Sequence, residues 1–180
     1  MRKKYTLEME VPEGITCEFV DGTLKCKKGE KEISKEISIL GTNLKVEGNK
    51  LRIVCEKANK KNIAVIKSNE GHIKNMFAGV EEDFVYELEV CNVHFPMTVK
   101  AEGEKITISN FLGEKIDRIA KIISGVKVEI KGSNITVSGS DIEKTGQTAA
   151  NIEKAAKVPN KDRRIFQDGI FMTSKPGGAI

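Results

Sequence analysis

The sequence predicts an α+β protein of two tandem duplicated domains, each a small antiparallel β-sheet covered by one α-helix. Three observations predict it. The chain of 180 residues repeats itself at an offset near 84. Within each copy, apolar and polar residues alternate over short segments separated by Gly/Asn turns, which is the pattern of strands with one buried face. Each copy then closes on a longer stretch of helical periodicity. Strands followed by a helix, rather than strands alternating with helices, argue α+β over α/β.

The first copy opens with Tyr5-Thr6-Leu7-Glu8-Met9, which resembles Tyr86-Glu87-Leu88-Glu89-Val90 in the second. At an offset of 82, Cys17 meets Val99, Leu24 meets Ile106 and Cys26 meets Ile108. Gly29-Glu30-Lys31 falls on Gly113-Glu114-Lys115 at 84, so the second copy gains two residues around Asn110-Phe111-Leu112. Segments 31–40 and 115–124 correspond to within one residue. Residues 42–54 then align on 126–138, with Leu44 on Val128, Val46 on Ile130, Gly48 on Gly132, Leu51 on Ile135 and Ile53 on Val137. Alternation on both sides of a short Gly/Asn turn makes each of these a β-hairpin with one buried face.

A helix follows each hairpin. The first is expected from about Asn59 to Ala78, with Ile63, Ile66, Ile73 and Phe77 on one face, Asn59 as N-cap and Gly79 as the stop. The second is expected from about Ile142 to Lys157, with Ile142, Ala149, Ile152 and Ala156 near one face, Asp141 as N-cap and Pro159 beyond its end. A lone helix of this length is marginal in water, so each must pack on its own sheet. The organisation is therefore residues 1–80 as the first repeat unit, 81–158 as the second, and 159–180 as a basic C-terminal extension.

Composition narrows the function classes. Hydrophobic residues make up 39% and charged residues 31%, which gives a lean core and a very polar surface. The longest apolar runs, such as Ile63 to Ile66, are too short to span a bilayer, and no membrane partner is expected. Met1, Arg2, Lys3, Lys4 and Tyr5 lack the apolar stretch of a signal peptide, so a cytoplasmic location is expected. The cysteines Cys17, Cys26, Cys55 and Cys91 form no CxxC pair, and His72 and His94 lie far apart, so neither a zinc site nor any other metal or cofactor is expected. Cys17 and Cys26 stand where the other copy has Val and Ile, which is the position of a small core-filling side chain.

No catalytic constellation emerges, and an enzyme is not expected. His72 lies inside the first predicted helix and reads as a packing or capping residue. His94 precedes Phe95-Pro96 with no acidic or nucleophilic neighbour in sequence. There is no G-x-S-x-G elbow and no phosphate-binding G-x-x-x-x-G-K-[ST] loop. Val137-Ser138-Gly139-Ser140-Asp141 leads from strand to helix, but Asp141 sets a negative charge at the mouth and is better read as a cap. Glu87 and Glu89 alternate with Tyr86, Leu88 and Val90 and form a solvated strand face.

Charge is distributed unevenly. Residues 1–80 carry 16 Lys/Arg against 11 Asp/Glu, residues 81–153 carry 8 against 13, and residues 154–180 carry 6 against 2. The last stretch is short and its positive charge is concentrated, which favours a polyanion partner. Arginine suits phosphate because its planar donors engage two oxygens at once. Phe166 and Phe171 either stack on bases or anchor the tail to its own domain. A short extension cannot build a core alone, so an RNA surface is expected to order it.

Four stretches carry a family likeness. They are Gly71-His72-Ile73-Lys74-Asn75-Met76-Phe77-Ala78-Gly79-Val80; His94-Phe95-Pro96; Asn110-Phe111-Leu112-Gly113-Glu114-Lys115; and Asn160-Lys161-Asp162-Arg163-Arg164-Ile165-Phe166-Gln167-Asp168-Gly169-Ile170. In order and spacing the chain resembles the large-subunit ribosomal protein six family, in its archaeal and eukaryotic branch; the tail departs from the bacterial branch. The resemblance implies two similar α+β domains and a structural role in the large ribosomal subunit. It implies binding to large-subunit rRNA, largely through the C-terminal domain, near the stalk base and the sarcin–ricin loop. Neighbouring large-subunit and stalk-base proteins are the implied partners, with translational GTPases docking nearby.

Carried onto this chain, the implied RNA contacts are Lys161, Arg163, Arg164 and Lys175; Lys157 and Asn160 are added on physical grounds. Asp162 and Asp168 are expected to orient the arginines or cap a turn. The charge of the first unit permits contact through Arg2, Lys3, Lys4, Lys60 and Lys61, although solvated lysines are the simpler reading. The alternative to a ribosomal role is a free-standing RNA-binding adapter outside the ribosome, which obeys the same physics.

Overall fold

The alternating segments pair into antiparallel sheets, and the chain divides into two units, Met1–Glu82 and Asp83–Ile180. The computed structural model describes residues 3–29, 31–37, 43–162 and 164–179. The expected contacts at Arg2 and Arg163 lie outside the described residues.

In the first unit the strands are β1 (Lys3–Glu10), β2 (Thr16–Val20), β3 (Thr23–Lys28), β4 (Lys31–Glu36), β5 (Asn43–Glu47) and β6 (Lys50–Ala58), followed by α1 (Lys60–Glu81). They form two three-stranded antiparallel sheets, β1-β6-β5 and β2-β3-β4. Asp21 and Gly22 both take positive φ, 48° and 80°, in the two-residue turn between β2 and β3. Such a turn matches the right-handed twist of its strands. The alternation buries Leu24 and Cys26 from one sheet and Leu51, Ile53 and Cys55 from the other, against Ile66 and Ile73 of α1.

Helix α1 starts where expected, with Asn59 Oδ1 accepting the N–H of Asn62 at 2.8 Å. It does not stop at Gly79. It runs on to Glu81 because Gly79 and Val80 continue the buried stripe of Ile66, Asn69, Ile73, Met76 and Phe77, and it gives way to extended backbone only at Glu82.

The second unit repeats the plan and adds to it. Its elements are β7 (Phe84–Cys91), β8 (Thr98–Glu102), β9 (Lys105–Ser109), β10 (Arg118–Lys121), β11 (Lys127–Lys131), β12 (Asn134–Gly139), α2 (Ile142–Ala155), β13 (Gly169–Lys175) and β14 (Gly178–Ala179). Strand β7 starts 81 residues after β1, β8 and β9 start 82 after β2 and β3, and β11 and β12 start 84 after β5 and β6. One alignment, open by one residue in the sequence, is settled. Ile37 donates to the carbonyl of Gly22, and Ile122 to that of Glu104, both at 2.8 Å. That equivalence sets Ile37 on Ile122 and fixes β4 and β10 at 85. The Gly29-Glu30-Lys31 likeness to Gly113-Glu114-Lys115 is therefore not structural: Lys31 opens β4, whereas Lys115 lies in a loop before β10. That loop turns through Asn110 and Leu112 at positive φ and seats Phe111, 1% exposed, in the core.

Helix α2 is capped by Asp141, whose Oδ1 accepts from Glu143 N at 2.9 Å and Lys144 N at 3.4 Å. Its buried face contains two residues that polarity alone would leave outside, Thr145 and Thr148, each four residues before a buried apolar one. Their hydroxyls donate to the carbonyls of Asp141 (2.7 Å) and Lys144 (2.8 Å), so neither is buried without a partner. Glu87 and Glu89 face solvent while Leu88 is buried, as the alternation requires.

The larger departure is at the end of the chain. The second sheet of this unit has five strands in the order β11-β12-β7-β13-β14. Strand β1 is an edge of its sheet, whereas its equivalent β7 is covered by β13, with Gly169 opposite Cys91, Ile170 opposite Val90 and Met172 opposite Leu88. The expectation that RNA orders the whole tail is corrected for residues 169–175. Pairing along β7 and burial of Ile170 (1% exposed) order them, and the edge is closed in the process.

Candidate nucleic-acid interface

Between α2 and β13 the chain forms a compact, cation-rich loop held by two anchors. The first is Asp168, which is 1% exposed although it lies next to the start of a strand. Its Oδ1 accepts the backbone N–H groups of Val93 (2.8 Å) and His94 (2.9 Å), and its Oδ2 lies 2.5 Å from His94 Nδ1. Burial by itself would raise the carboxyl pKa. The three hydrogen bonds, two of them from backbone N–H groups, and the imidazole charge override that and hold it at about 2. The expected role of Asp168 as a turn cap is met, and the turn it caps is 74 residues away in sequence. His94, which has no acidic neighbour along the chain, gains one in space. Its ring also stacks on Phe166, with centroids 5.2 Å apart.

The second anchor is Arg118. Its Nη1 donates to the carbonyls of Ala155 (3.0 Å) and Lys157 (2.8 Å), closing the end of α2. Its Nε and Nη2 pair with the two oxygens of Glu114 at 2.8 and 2.5 Å, and its guanidinium lies 4.0 Å from the centre of the Phe111 ring. One planar cation thus ties the 110–118 loop to the point where the tail leaves the helix. The hydrogen bond from Arg118 holds the Glu114 carboxyl below its usual range.

On this frame Lys157, Asn160, Lys161 and Arg164 all stand exposed. Asn160 takes the left-handed conformation (φ 55°), which asparagine adopts more readily than most residues. Lys161 Nζ lies 4.2 Å from the centre of the Phe166 ring, so Phe166 joins His94 and Lys161 in one aromatic and cationic stack. Asp162 organises the turn that follows. Its carboxylate accepts the Arg164 backbone N–H at 2.9 Å and grips the guanidinium, with Nη2 to Oδ2 at 2.8 Å, while its carbonyl accepts from Ile165 and Phe166. The Arg164 hydrogen bonds depress the Asp162 carboxyl and raise the guanidinium. Asp162 therefore orients an arginine, and Arg164 keeps a side chain 90% exposed.

Lys175 is not part of this group. It ends β13, six residues beyond Gly169, so a strand rise of about 3.3 Å per residue puts it about 20 Å along the strand from Gly169. In the first unit Lys4, Lys60 and Lys61 are exposed.

The ring of His72 is engaged by two side chains. Lys35 Nζ lies 3.0 Å from His72 Nδ1 and Ser68 Oγ 3.4 Å from Nε2. An ammonium only donates, so Nδ1 must accept and Nε2 keeps the proton, which leaves no base facing Ser68. Among the described residues no group of three His, Cys, Asp or Glu side chains is placed to hold a metal ion. Among them, too, no helix is long and apolar enough to cross a membrane.

Comparison with known proteins decides what this frame is. A family model described as "Ribosomal protein L6" matches residues 95–169, from the Phe95 loop to the start of β13. The large ribosomal subunit protein uL6 of Sulfurisphaera tokodaii is 44% identical over 169 residues, covering 93% of this chain and 91% of that protein. Those of Methanocella arvoryzae (41%; 93% and 96% covered) and Aeropyrum pernix (45%; 91% and 91% covered) are similar over the same span. The chain belongs to the uL6 family. As a uL6 protein it has a structural role in the ribosome and is not an enzyme.

Sequence reasoning missed Arg118, and it named His94 and Asp168 without the link between them. The motifs that contain His94 and Asp168 are visible in the sequence, but their pairing is not, and Arg118 lies outside every motif. His94 and Asp168 are 74 residues apart, and Arg118 reaches two carbonyls at the far end of α2.

Proposed function

We propose that this uL6 protein binds large-subunit rRNA through the 157–164 loop, with Lys175 as a second contact, in cytoplasmic ribosomes. In this reading the binding region lies near the stalk base and the sarcin–ricin loop, beside neighbouring large-subunit and stalk-base proteins and the docking place of translational GTPases.

One observation carries it. In the loop one acid is buried, the other is paired, and the cations are displayed: Asp168 is buried on backbone N–H groups, the exposed Asp162 is engaged by Arg164, and Lys157, Lys161 and Arg164 face solvent. A pre-formed cationic loop neutralises phosphate without first losing conformational freedom. Beside it, a hollow of about 770 Å³ is bordered by Phe166, Phe171, Lys154 and Lys157, and it suits an unstacked base held on an aromatic wall. Arg163 belongs to the same proposal by its place in the sequence.

The test is the salt dependence of binding to large-subunit rRNA. Replacing Arg163 and Arg164 with Ala should weaken binding and flatten the slope of log K against log salt by roughly one to two. An unchanged slope would remove the loop from the interface. The adapter reading is separated by sedimentation: the proposal requires the protein to travel with large subunits, whereas an adapter stays near the top of the gradient.

A further inference from the structure

The geometry points to Cys17 and Cys26 as a peroxide-responsive dithiol that closes to a reversible cross-strand disulfide in the first unit. The β2–β3 hairpin turns on Asp21-Gly22, and Val20 pairs with Thr23 across it. In a two-residue hairpin that closing pair exchanges both backbone hydrogen bonds, and the pairs alternate outward from it. Phe19/Leu24 is then non-hydrogen-bonded, Glu18/Lys25 hydrogen-bonded, and Cys17/Cys26 non-hydrogen-bonded again. Directly opposed residues of that kind have Cα atoms about 4.5 Å apart, inside the range disulfides occupy. The two sulfurs already lie 3.1 Å apart, so closing to about 2.05 Å needs side-chain rotation rather than backbone movement.

The two thiols differ in the way a peroxide-sensing pair requires. Cys17 is half-buried and reachable, whereas Cys26 is fully buried on the core side. The hydrogen bond with Cys26 holds the Cys17 thiol below its ordinary value, and the same contact together with burial pushes Cys26 up. Cys17 is thus the attacking sulfur and Cys26 the resolving one. The Cys17 thiolate attacks one oxygen of hydrogen peroxide, the O–O bond breaks, and Cys17 becomes a sulfenic acid while the other oxygen leaves as hydroxide, which takes up the proton Cys17 lost on ionising and becomes water. The Cys26 sulfur then attacks the Cys17 sulfur, the S–O bond breaks, and a second water carries away the remaining thiol proton. Two thiols lose two electrons, and one peroxide gains them. A small thiol reductant reverses the link by exchange at the accessible Cys17 sulfur.

The experiment uses the full-length chain, reduced and freed of reductant, then treated with hydrogen peroxide at neutral pH, blocked with an alkylating agent and digested without reduction. Cleavage after Lys25 separates the two cysteines, so only a disulfide keeps their peptides together. The expected result is a monomer whose Cys17 peptide is joined to its Cys26 peptide, with the link lost on adding dithiothreitol. Cys17→Ser should abolish it and Cys91→Ser should leave it unchanged. Cys26→Val, which keeps an apolar side chain of similar volume, should abolish it while keeping the fold. Accumulation of Cys17 sulfinic acid with Cys26 still alkylatable would overturn the proposal, as would disulfides that join two chains.

Discussion

Asp168 and His94, 74 residues apart, are joined at two points: the carboxylate accepts the His94 backbone N–H and lies against its ring nitrogen; it also accepts the N–H of Val93. This buried carboxylate fixes the 93–95 turn to the start of β13, so it fixes the floor on which the cationic loop stands.

Its titration sets an acid limit. The folded-state pKa is about 2 against an ordinary 3.8, so between those values the unfolded chain binds more protons than the folded one. The stabilisation is complete above about pH 4 to 5 and is lost as the pH falls toward 2. At about 1.4 kcal/mol per unit, it amounts to about 2 kcal/mol. Asp168→Asn should flatten the dependence of unfolding free energy on pH between 4 and 2, measured by denaturant melts. Asp168→Ala, which takes the acceptor from two backbone N–H groups, should cost about 2 kcal/mol near neutrality.

Arg118 should not tolerate a conservative exchange. It serves Glu114, the carbonyls of Ala155 and Lys157 and the Phe111 face with one planar group. Arg118→Lys keeps the charge but not the fork, and both it and Arg118→Ala should destabilise the second unit by about 2 kcal/mol. Hydrogen exchange should report the loss first at the end of α2 and around Lys157. Protection equal to that of the unaltered chain in Arg118→Lys would show that charge alone suffices.

Ile170 is 1% exposed on the strand that covers β7, and Ile170→Ala should cost about 3 kcal/mol by opening a cavity there. For the same reason, cutting the chain after Val158 removes the proposed RNA contact and uncovers a sheet edge together. Such a truncation should aggregate in light scattering, whereas point changes in the loop should not.

Lys175 ends β13, whereas Arg164 lies in the loop before it. Lys175 is about 20 Å along the strand from Gly169, so the two effects on RNA affinity should add, because sites farther apart than about 10 Å rarely couple. Lys175→Ala and Arg164→Ala should each lower the salt slope by about one, and the double change by about two.

The fold was largely legible because its signals are local. The Gly48 and Gly132 hairpins sit at equivalent positions, their strands alternate cleanly, and Asn59 and Asp141 cap the helices as their positions predict. Legibility failed where a contact crosses the chain. Gly169-Ile170-Phe171-Met172 is a short unpunctuated apolar run whose periodicity does not identify a strand, and its partner β7 begins some 85 residues earlier. The 110–117 loop hid the β4/β10 register because a chance Gly-Glu-Lys repeat outweighed the insertion. In the site, exposed cations could be read from composition. The buried Asp168, the stacked His94 and Phe166, and the bridging Arg118 could not, since each depends on residues that meet only in three dimensions.

The most direct measurement is incorporation into large subunits of the full-length chain with Lys161, Arg163 and Arg164 all replaced by Ala, after its melting curve has been shown to match that of the unaltered protein. If the loop is the principal rRNA contact, the altered chain should be displaced by the unaltered one in competition and be depleted from the large-subunit peak of a sucrose gradient, more strongly at higher salt. Equal incorporation of the two chains at every salt concentration would contradict it.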